Sequence, residues 1–575
     1  MLQQILLLFQ PAQLSRQFPG VIVNVFSIAF SCQMFSMSSN PLHSESNQVP
    51  NSHAMMPVNN LLETSCIAAS TTPWRISSLV HSRLPSEVLS HPYTGIGTAT
   101  DPFIVEWLPS DRENPLEFTA TRKWMITCLS SISVLVVSFS SSVYSGGIPD
   151  LKHEFGISNT QSLIGISVFV LGFAIGPLFW GPMSEVYGRR IIFIISFAAL
   201  TLFDAGCVAA QSPTQLFILR AFAGLCGSST LTNTSAVMAD IWAADQRGFA
   251  MGISSAAPFL GPVLGPIVGG FFGEATGWRW IEGLLTIVTA VILILCGVCI
   301  PETYGPFILQ RRAVLLEKRK DSVFTTRLKM QKEPISIAAT LKVSLLRPWQ
   351  LLIREPIVLL LSIYLAIIYG TVYIYLAAFP IVYREARGWS LGLSGLAFLG
   401  MAVGSQAAIV CLFWENRRYN RVAERCLKGL APPEARLPIV MAGAVITPIG
   451  LFWFAWTNGP EIHWIVSILS TVLFGFGNVW LTLGCINYLI DSYMMYSASV
   501  MAATSLLRSI CGAGFPLFTT AMYKSLGLHW GSSVPAFAAL ICAPFPFLLY
   551  KFGPQVRRHC HYAAEAQGIY DKMLS

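Results

Sequence analysis

The residues of this 575-residue chain best suited to chemistry are ionisable side chains set inside long apolar runs, and they are few. Asp204, Arg220, Glu282, Asp491 and Arg508 each interrupt such a run. A charge in those surroundings is costly, and an acid beside a base there can take up and release a proton. Arg220, Asp204, Asp491 and Arg508 are therefore candidates for handling a proton, and Asp204 is an acceptor that could compete for Arg220. Ser229, Asn233, Tyr369, Tyr373, Gln406, Asn478 and Asn487 are polar or aromatic interruptions of the same kind. Grouped around a void, they suit flat, lipophilic, weakly polar molecules. The sequence holds no phosphate loop, no G-x-S-x-G string and no metal-ligand spacing, so neither an enzyme nor a metal or other cofactor is expected.

The elements that must position these residues follow from composition. Hydrophobic residues make up 53% of the chain and charged ones 11%, against about 25% charge in a soluble domain. Apolar segments long enough to cross a bilayer recur at 124–144, 163–183, 191–210, 215–238, 249–272, 280–300, 356–378, 392–414, 439–457, 464–490, 498–522 and 533–551. We number them spans one to twelve. Backbone groups in lipid must be satisfied within the segment, so each span is predicted helical. The polar stretch 301–355 divides them into six-helix halves, 121–300 and 356–552. Residues 1–120 read as a disordered tail with one apolar stretch, 21–30, too short to span, and with Met37 as an alternative start. Residues 553–575 read as a second tail. Of thirteen cysteines, nine lie in apolar segments, which argues against a disulfide framework.

Placing the basic residues orients the chain. With both termini inside, the inner segments carry 25 Lys and Arg, eleven of them in 301–355, and the outer loops carry five. This asymmetry predicts cytoplasmic termini and accounts for the formal charge of +8 without nucleic acid. Arg311, Arg312, Lys318, Arg319 and Lys320 beside Phe307, Leu315 and Leu316 predict a short amphipathic helix on anionic lipid. Asn233-Thr-Ser lies within span four and is expected to stay unglycosylated. Tyr364 and Tyr383 read as interfacial belt residues.

Two strings have a mechanical reading. Between spans two and three, Gly181-Pro-Met-Ser-Glu185-Val-Tyr-Gly188-Arg189-Arg190 combines close-approach glycines with an acid that could pair with the arginines or with a helix N-terminus, a latch at a helix junction. In span five, Gly252, Gly261, Gly265, Pro266, Gly269 and Gly270 accompany prolines at 258 and 262. Gly261, Gly265 and Gly269 form one smooth face, and the prolines make the helix bendable, which suits a moving interface.

The first string resembles the loop motif G-x-x-x-D/E-x-x-G-R-R/K of the major facilitator superfamily, with Glu185 where Asp is usual. The second resembles the antiporter motif of its exporters, and Arg220-Ala-Phe-Ala-Gly224 resembles a third motif. Glu113-Asn-Pro115, Pro301-Glu-Thr-Tyr304, Arg354-Glu-Pro356, Asn487-Tyr-Leu-Ile-Asp491-Ser-Tyr493 and Arg508 with Gly512 and Phe515-Pro-Leu-Phe518 are similar to the fungal twelve-span drug:proton antiporter branch. The resemblance implies an all-α major facilitator fold, two six-helix halves enclosing a cavity that opens alternately to each side, and a proton-coupling role for Arg220. It further implies a monomeric plasma-membrane exporter of lipophilic drugs or secondary metabolites, driven by a proton gradient, with a polyamine exporter and a non-transporting membrane sensor as alternatives. The charge asymmetry makes a direct prediction: a tag placed in 301–355 should be unreachable by protease outside intact cells and cleaved once the membrane is permeabilised.

Overall fold

The computed structural model describes residues 86–565 apart from 99, 110, 244–245, 247–249, 253, 332–336 and 427–430. The apolar stretch 21–30 and the alternative start at Met37 lie outside the described residues. Helix is present at all twelve expected spans. Ten helical stretches are individually long and apolar enough to cross a membrane, and the difference from twelve has two causes. Span four is split into Pro213–Gly227 and Ser229–Ile241, each short by itself. Spans eleven and twelve are joined through Ser497–Cys542, which leaves helical geometry only at Gly527, φ 77°. Tyr523 and Ser532 on either side of Gly527 share a hydrogen bond of 2.7 Å. Nine residues of straight helix would hold them about 13 Å apart, so the chain doubles back here.

The helices pack in a repeated pattern. In the first half span one lies on span five, span two on span four, and span three on span six; in the second, span seven lies on eleven, eight on ten, and nine on twelve. The halves meet along two further pairs, span two with eleven and span five with eight. Adding six to each partner of one pair, and wrapping round after twelve, gives the other pair, as two copies of one six-helix unit require.

Close approach depends on missing side chains. A Cβ on Gly265 would stand 1.9 Å from Ser142 Oγ, and one on Gly261 2.3 Å from Ser138 Cβ. The smooth face of span five is thus pressed against span one of its own half. The seam between halves is made by the next face round: Pro266 and Gly270 meet Gly395 and Leu391, and Gly392 meets Phe271. Gly252 has open space beside it.

Three expectations need correction. Tyr364 and Tyr383 are not belt residues but are fully buried, the latter bonded to Ser467 at 2.8 Å. The tail does not begin at 553: the helix Pro544–His559 carries Arg557 inward to Glu434, 2.8 Å away. Nor is the N-terminal segment unstructured up to residue 120, for residues 86–117 and 305–325 build a small strap with its own core of Val88, Val105, Ala313, Leu316 and Phe324. Two short parallel strands, Phe103–Ile104 and Phe324–Thr325, stitch it together, a β element absent from the all-α expectation.

A helix does occupy the place predicted for the amphipathic one, as Gly305–Lys320. Its Arg312, however, points into the strap, bonding both oxygens of Asp111 at 2.5 and 2.8 Å and Glu113 at 2.6 Å. Burial alone would push the Asp111 carboxyl up, but these bonds together with backbone donors outweigh it and hold it below its ordinary value. A lowered folded-state value means that the bond's contribution is fully present at neutral pH and is lost only as pH falls through that value. Arg312→Ala strands a buried carboxylate, which typically costs about 3–5 kcal/mol. It should open the strap to limited proteolysis near residues 100–110 at neutral pH while the transmembrane helices stay protected; an unchanged cleavage pattern would contradict this.

Candidate functional site

Span four begins with a capped turn: Ser212 Oγ accepts from Gln215 N at 3.3 Å and Pro213 occupies the first helical position. Two turns on, Arg220 is fully enclosed. Its guanidinium donates to three other helices: Nε to Gly165 O on span two at 3.0 Å, Nη2 to Ser140 O on span one at 2.9 Å, and Nη1 to Glu282 Oε1 on span six at 2.6 Å. The planar group lies over the rings of Tyr144 and Phe169, 4.3 and 5.0 Å from their centres. Gly165 and Gly224 let these helices close in, since a Cβ on Gly224 would be 2.1 Å from Phe169 O.

Asp204 on span three is buried beside this pair, feels the charge of both, and keeps both carboxylate oxygens without a hydrogen-bond partner. Glu282 Oε2 is likewise unpartnered. Arg220 is therefore joined directly to Glu282 and not, as the sequence suggested, to Asp204. Two acids and one base shielded from water differ by one charge. Such a pocket can hold one extra proton and release it when the helices move.

A second group lies at the seam. Tyr373 Oη is 3.1 Å from Ser141 Oγ of the first half and 3.2 Å from Tyr369 Oη, and the Arg508 guanidinium sits 4.8 Å over the Tyr369 ring. The remaining cavity candidates do not join it through hydrogen bonds. Asn233 Nδ2 donates to Ser229 Oγ on its own helix at 3.0 Å while its Oδ1 is buried without a partner, and Asn478 accepts from Thr482. Gln406 Nε2 is buried without a partner, and Asn487 is partly buried.

On the basic face the loop string does form a latch, with a different acid. Glu185 is exposed and makes no ion pair among the described residues. Glu302 instead caps span three, accepting from the backbone N–H of Arg189 and Arg190 at 2.9 and 3.2 Å. Gly188, at φ 91°, makes room, because a Cβ there would be 2.4 Å from Glu302 Oε2. Gly181 faces Thr232 with room to spare. Arg189 pairs with Asp240 at the end of span four (3.3 Å), and Arg190 reaches Gly297 O at 2.7 Å. Six spans later Arg436 pairs with Asp491 at the end of span ten, 3.1 Å, which makes Asp491 a helix-end anchor and the counterpart of Asp240. Among these partners, Asp240 and Glu302 went unassigned in the sequence reading. The position of each acid at a helix end near a basic loop is the signal that could have found them.

Comparison with known proteins follows the same lines. A family model described as Major Facilitator Superfamily matches residues 130–516. The chain is 51% identical over 488 residues to the MFS-type efflux pump MFS2 of Trichophyton rubrum, covering 85% of this chain and 82% of that one. It is 50% identical over 490 residues to the major facilitator superfamily multidrug transporter mdrA of Aspergillus fumigatus, covering 85% and 81%. Among solved structures it resembles the proton:xylose symporter XylE of E. coli, with a TM-score of 0.55, 17% identity, and coverage of 76% and 96%.

The bracing geometry of Arg220 generates a stability prediction. Removing one member of a buried pair leaves the other charge stranded, at about 3–5 kcal/mol. Arg220→Ala should therefore lower the thermal unfolding temperature of the solubilised protein, and Arg220→Ala with Glu282→Ala should recover part of the loss. If the double variant is no more stable than the single, the pair is not coupled.

Proposed function

Because this chain belongs to the major facilitator superfamily, we propose that it is a proton-coupled antiporter that exports small lipophilic compounds by alternating access. Membership makes it a multi-pass membrane transporter and not an enzyme. The export direction draws support from relatives named as efflux pump and multidrug transporter. On the strength of its charge asymmetry we place the termini and linker in the cytoplasm; its resemblance to the drug:proton antiporter branch points to a monomer in the plasma membrane.

The observation that carries the reading is the enclosed group of Arg220, Glu282 and Asp204. Arg220 and Glu282 hold spans one, two, four and six together, and Asp204 takes and releases the proton from span three. When Asp204 is charged, two carboxylates compete for one guanidinium, so any shift of span three or six changes the balance. That is how proton loading would bias one conformation over the other. The halves meet at the end opposite the basic loops: Asn159 Nδ2 donates to Thr520 Oγ1 at 3.0 Å, and Gly392 N–H to Glu274 Oε2 at 3.1 Å. Parting of those contacts, with closure at the other end, would turn the cavity outward. Glycine-rich backbone contacts suit that parting, since they are close without interlocking side chains. Substrate release would then follow protonation of the emptied group, and no cofactor enters the cycle.

The test is made in proteoliposomes with an imposed pH gradient, with efflux of a lipophilic dye as readout. Asp204→Asn mimics the loaded acid and should abolish acceleration by the gradient while dye binding at equilibrium survives. Gradient-driven transport by that variant at the unmodified rate would refute the assignment.

A further inference from the structure

The last helix of the linker, Ile337–Arg354, is separated from span seven by a single residue, Glu355. It packs on spans two and eleven, one of the two pairs along which the halves meet. The helical repeat sorts its side chains from residue 342 onward into three sectors. Pro348, Leu351 and Leu352 face the protein and are buried, the two leucines joining the main core. Leu345, Leu346, Trp349 and Ile353 share a second sector. The first three are about half exposed and Ile353 is 81% exposed, the most of any large apolar side chain among the described residues. Arg347, Gln350 and Arg354 make the third, basic sector, and Lys342 stands one turn before Leu346. The Arg347 guanidinium lies 5.4 Å from the ring centre of Tyr496 at the foot of span eleven, which pins this flank to the bundle.

An amphipathic helix needs only two sectors, one on its core and one in water. A third that is apolar and uncovered marks a further apolar neighbour. Position and charge say which. Ile353 stands within a turn of Pro356, where the chain enters hydrocarbon, and outward-facing apolar surface resumes at Leu359 in span seven. A tryptophan at that depth suits the boundary between water and acyl chains. The helix carries three cations and no acid. An apolar sector toward the acyl chains, a basic flank at headgroup level and a third side on protein are the arrangement of an interfacial helix lying beside a bundle. Its cations are complementary to an anionic leaflet. A second copy of this chain would bring like charges together and fits less well.

We propose that helix Ile337–Arg354 is the membrane-surface element of the linker, with Leu345, Leu346, Trp349 and Ile353 among the acyl chains and Lys342 and Arg354 on the headgroups of anionic phospholipid. The role expected of the helix in 305–320 passes to this one, because Arg312 is committed to the strap. The proposal rests on the cytoplasmic placement of the linker for the choice of leaflet, and not on export.

The full chain with p-benzoylphenylalanine in place of Ile353 is reconstituted in nanodiscs of equal phosphatidylserine and phosphatidylcholine, irradiated and weighed by intact mass spectrometry. Phospholipid adducts should form, with phosphatidylserine favoured on the order of fivefold, the effect of one cation near an anionic surface. The same probe at Gln350, on the basic flank, should give markedly fewer. Lys342→Gln with Arg354→Gln should bring the serine-to-choline ratio toward one while adducts persist, which also shows that the variant is inserted. No lipid adduct at Ile353, adducts only to a second copy or to residues 1–85, as many adducts at Gln350 as at Ile353, equal capture of the two lipids, or a preference untouched by the double variant would each overturn the proposal. The comparison of lipids at Ile353 stands even if the double variant fails to fold. Both leaflets of a nanodisc carry the same lipids, so neither a linker on the other side of the membrane nor loss of proton coupling alters this result, and the readings can fail separately.

Discussion

The cost of placing charge where water is excluded governs this molecule. A guanidinium or carboxylate in hydrocarbon costs several kcal/mol by the least demanding scales, so each must be neutralised, moved to an end of the bundle, or put to use. Arg220 and Glu282 are neutralised by each other and by two backbone carbonyls that the helices present to them. Arg189, Arg436 and Arg557 are drawn to helix ends, each meeting an acid there. Helix positions, crossing points and the location of small residues all accommodate these pairings. Gly224, for example, must lack a side chain for span four to bring Arg220 against span two.

The same constraint separates the rigid parts from the movable ones. Inside each half, ion pairs and glycine faces tie helices together: Gly261 and Gly265 lock span five onto span one, while Arg220 ties span four to spans one, two and six. Across the seam no ion pair is found among the described residues, and the contacts are hydrogen bonds, ring edges and backbone. Under the proposed alternating access, two bodies that are internally braced and externally unbraced would move as units. The strap formed by residues 86–117 with the start of the linker adds a third braced piece, in which Arg312 does for the linker what Arg220 does for the first half.

Much of this was legible in the sequence, and for a definite reason. Apolar runs of twenty residues are set by bilayer thickness, which is why the positions of the long apolar helices could be read directly. The glycine positions were legible too, since only glycine permits a backbone contact. What the sequence hid was partnership. Glu302 lies 113 residues from the amide of Arg189, and nothing local distinguishes it from Glu185 as the acid of the latch. Glu282 was visible as a membrane acid, but its bond to Arg220 across 62 residues was not. Tyr364 and Tyr383 were misread because aromatic residues near span ends usually mark the interface, whereas here the second half buries both. The strap was missed because residues 86–117 are polar and short of periodicity, and their core is completed only by the linker helix.

One feature of the seam bears on how such a protein can change over generations. Where Gly395 approaches Pro266 and Gly270 approaches Leu391, the surfaces in contact are main chain. Main-chain atoms are the same whatever the gene encodes, provided the glycines remain. Closure on that face is thus insulated from drift at Tyr369, Tyr373, Phe515 and the other side chains that face the seam. If the proposed cavity residues set the cargo, a lineage could exchange them one at a time without rebuilding the proposed movement. On that reading the opening mechanism and the cargo preference would be inherited through separate sets of positions, and selection by a new toxin could act on one while leaving the other intact.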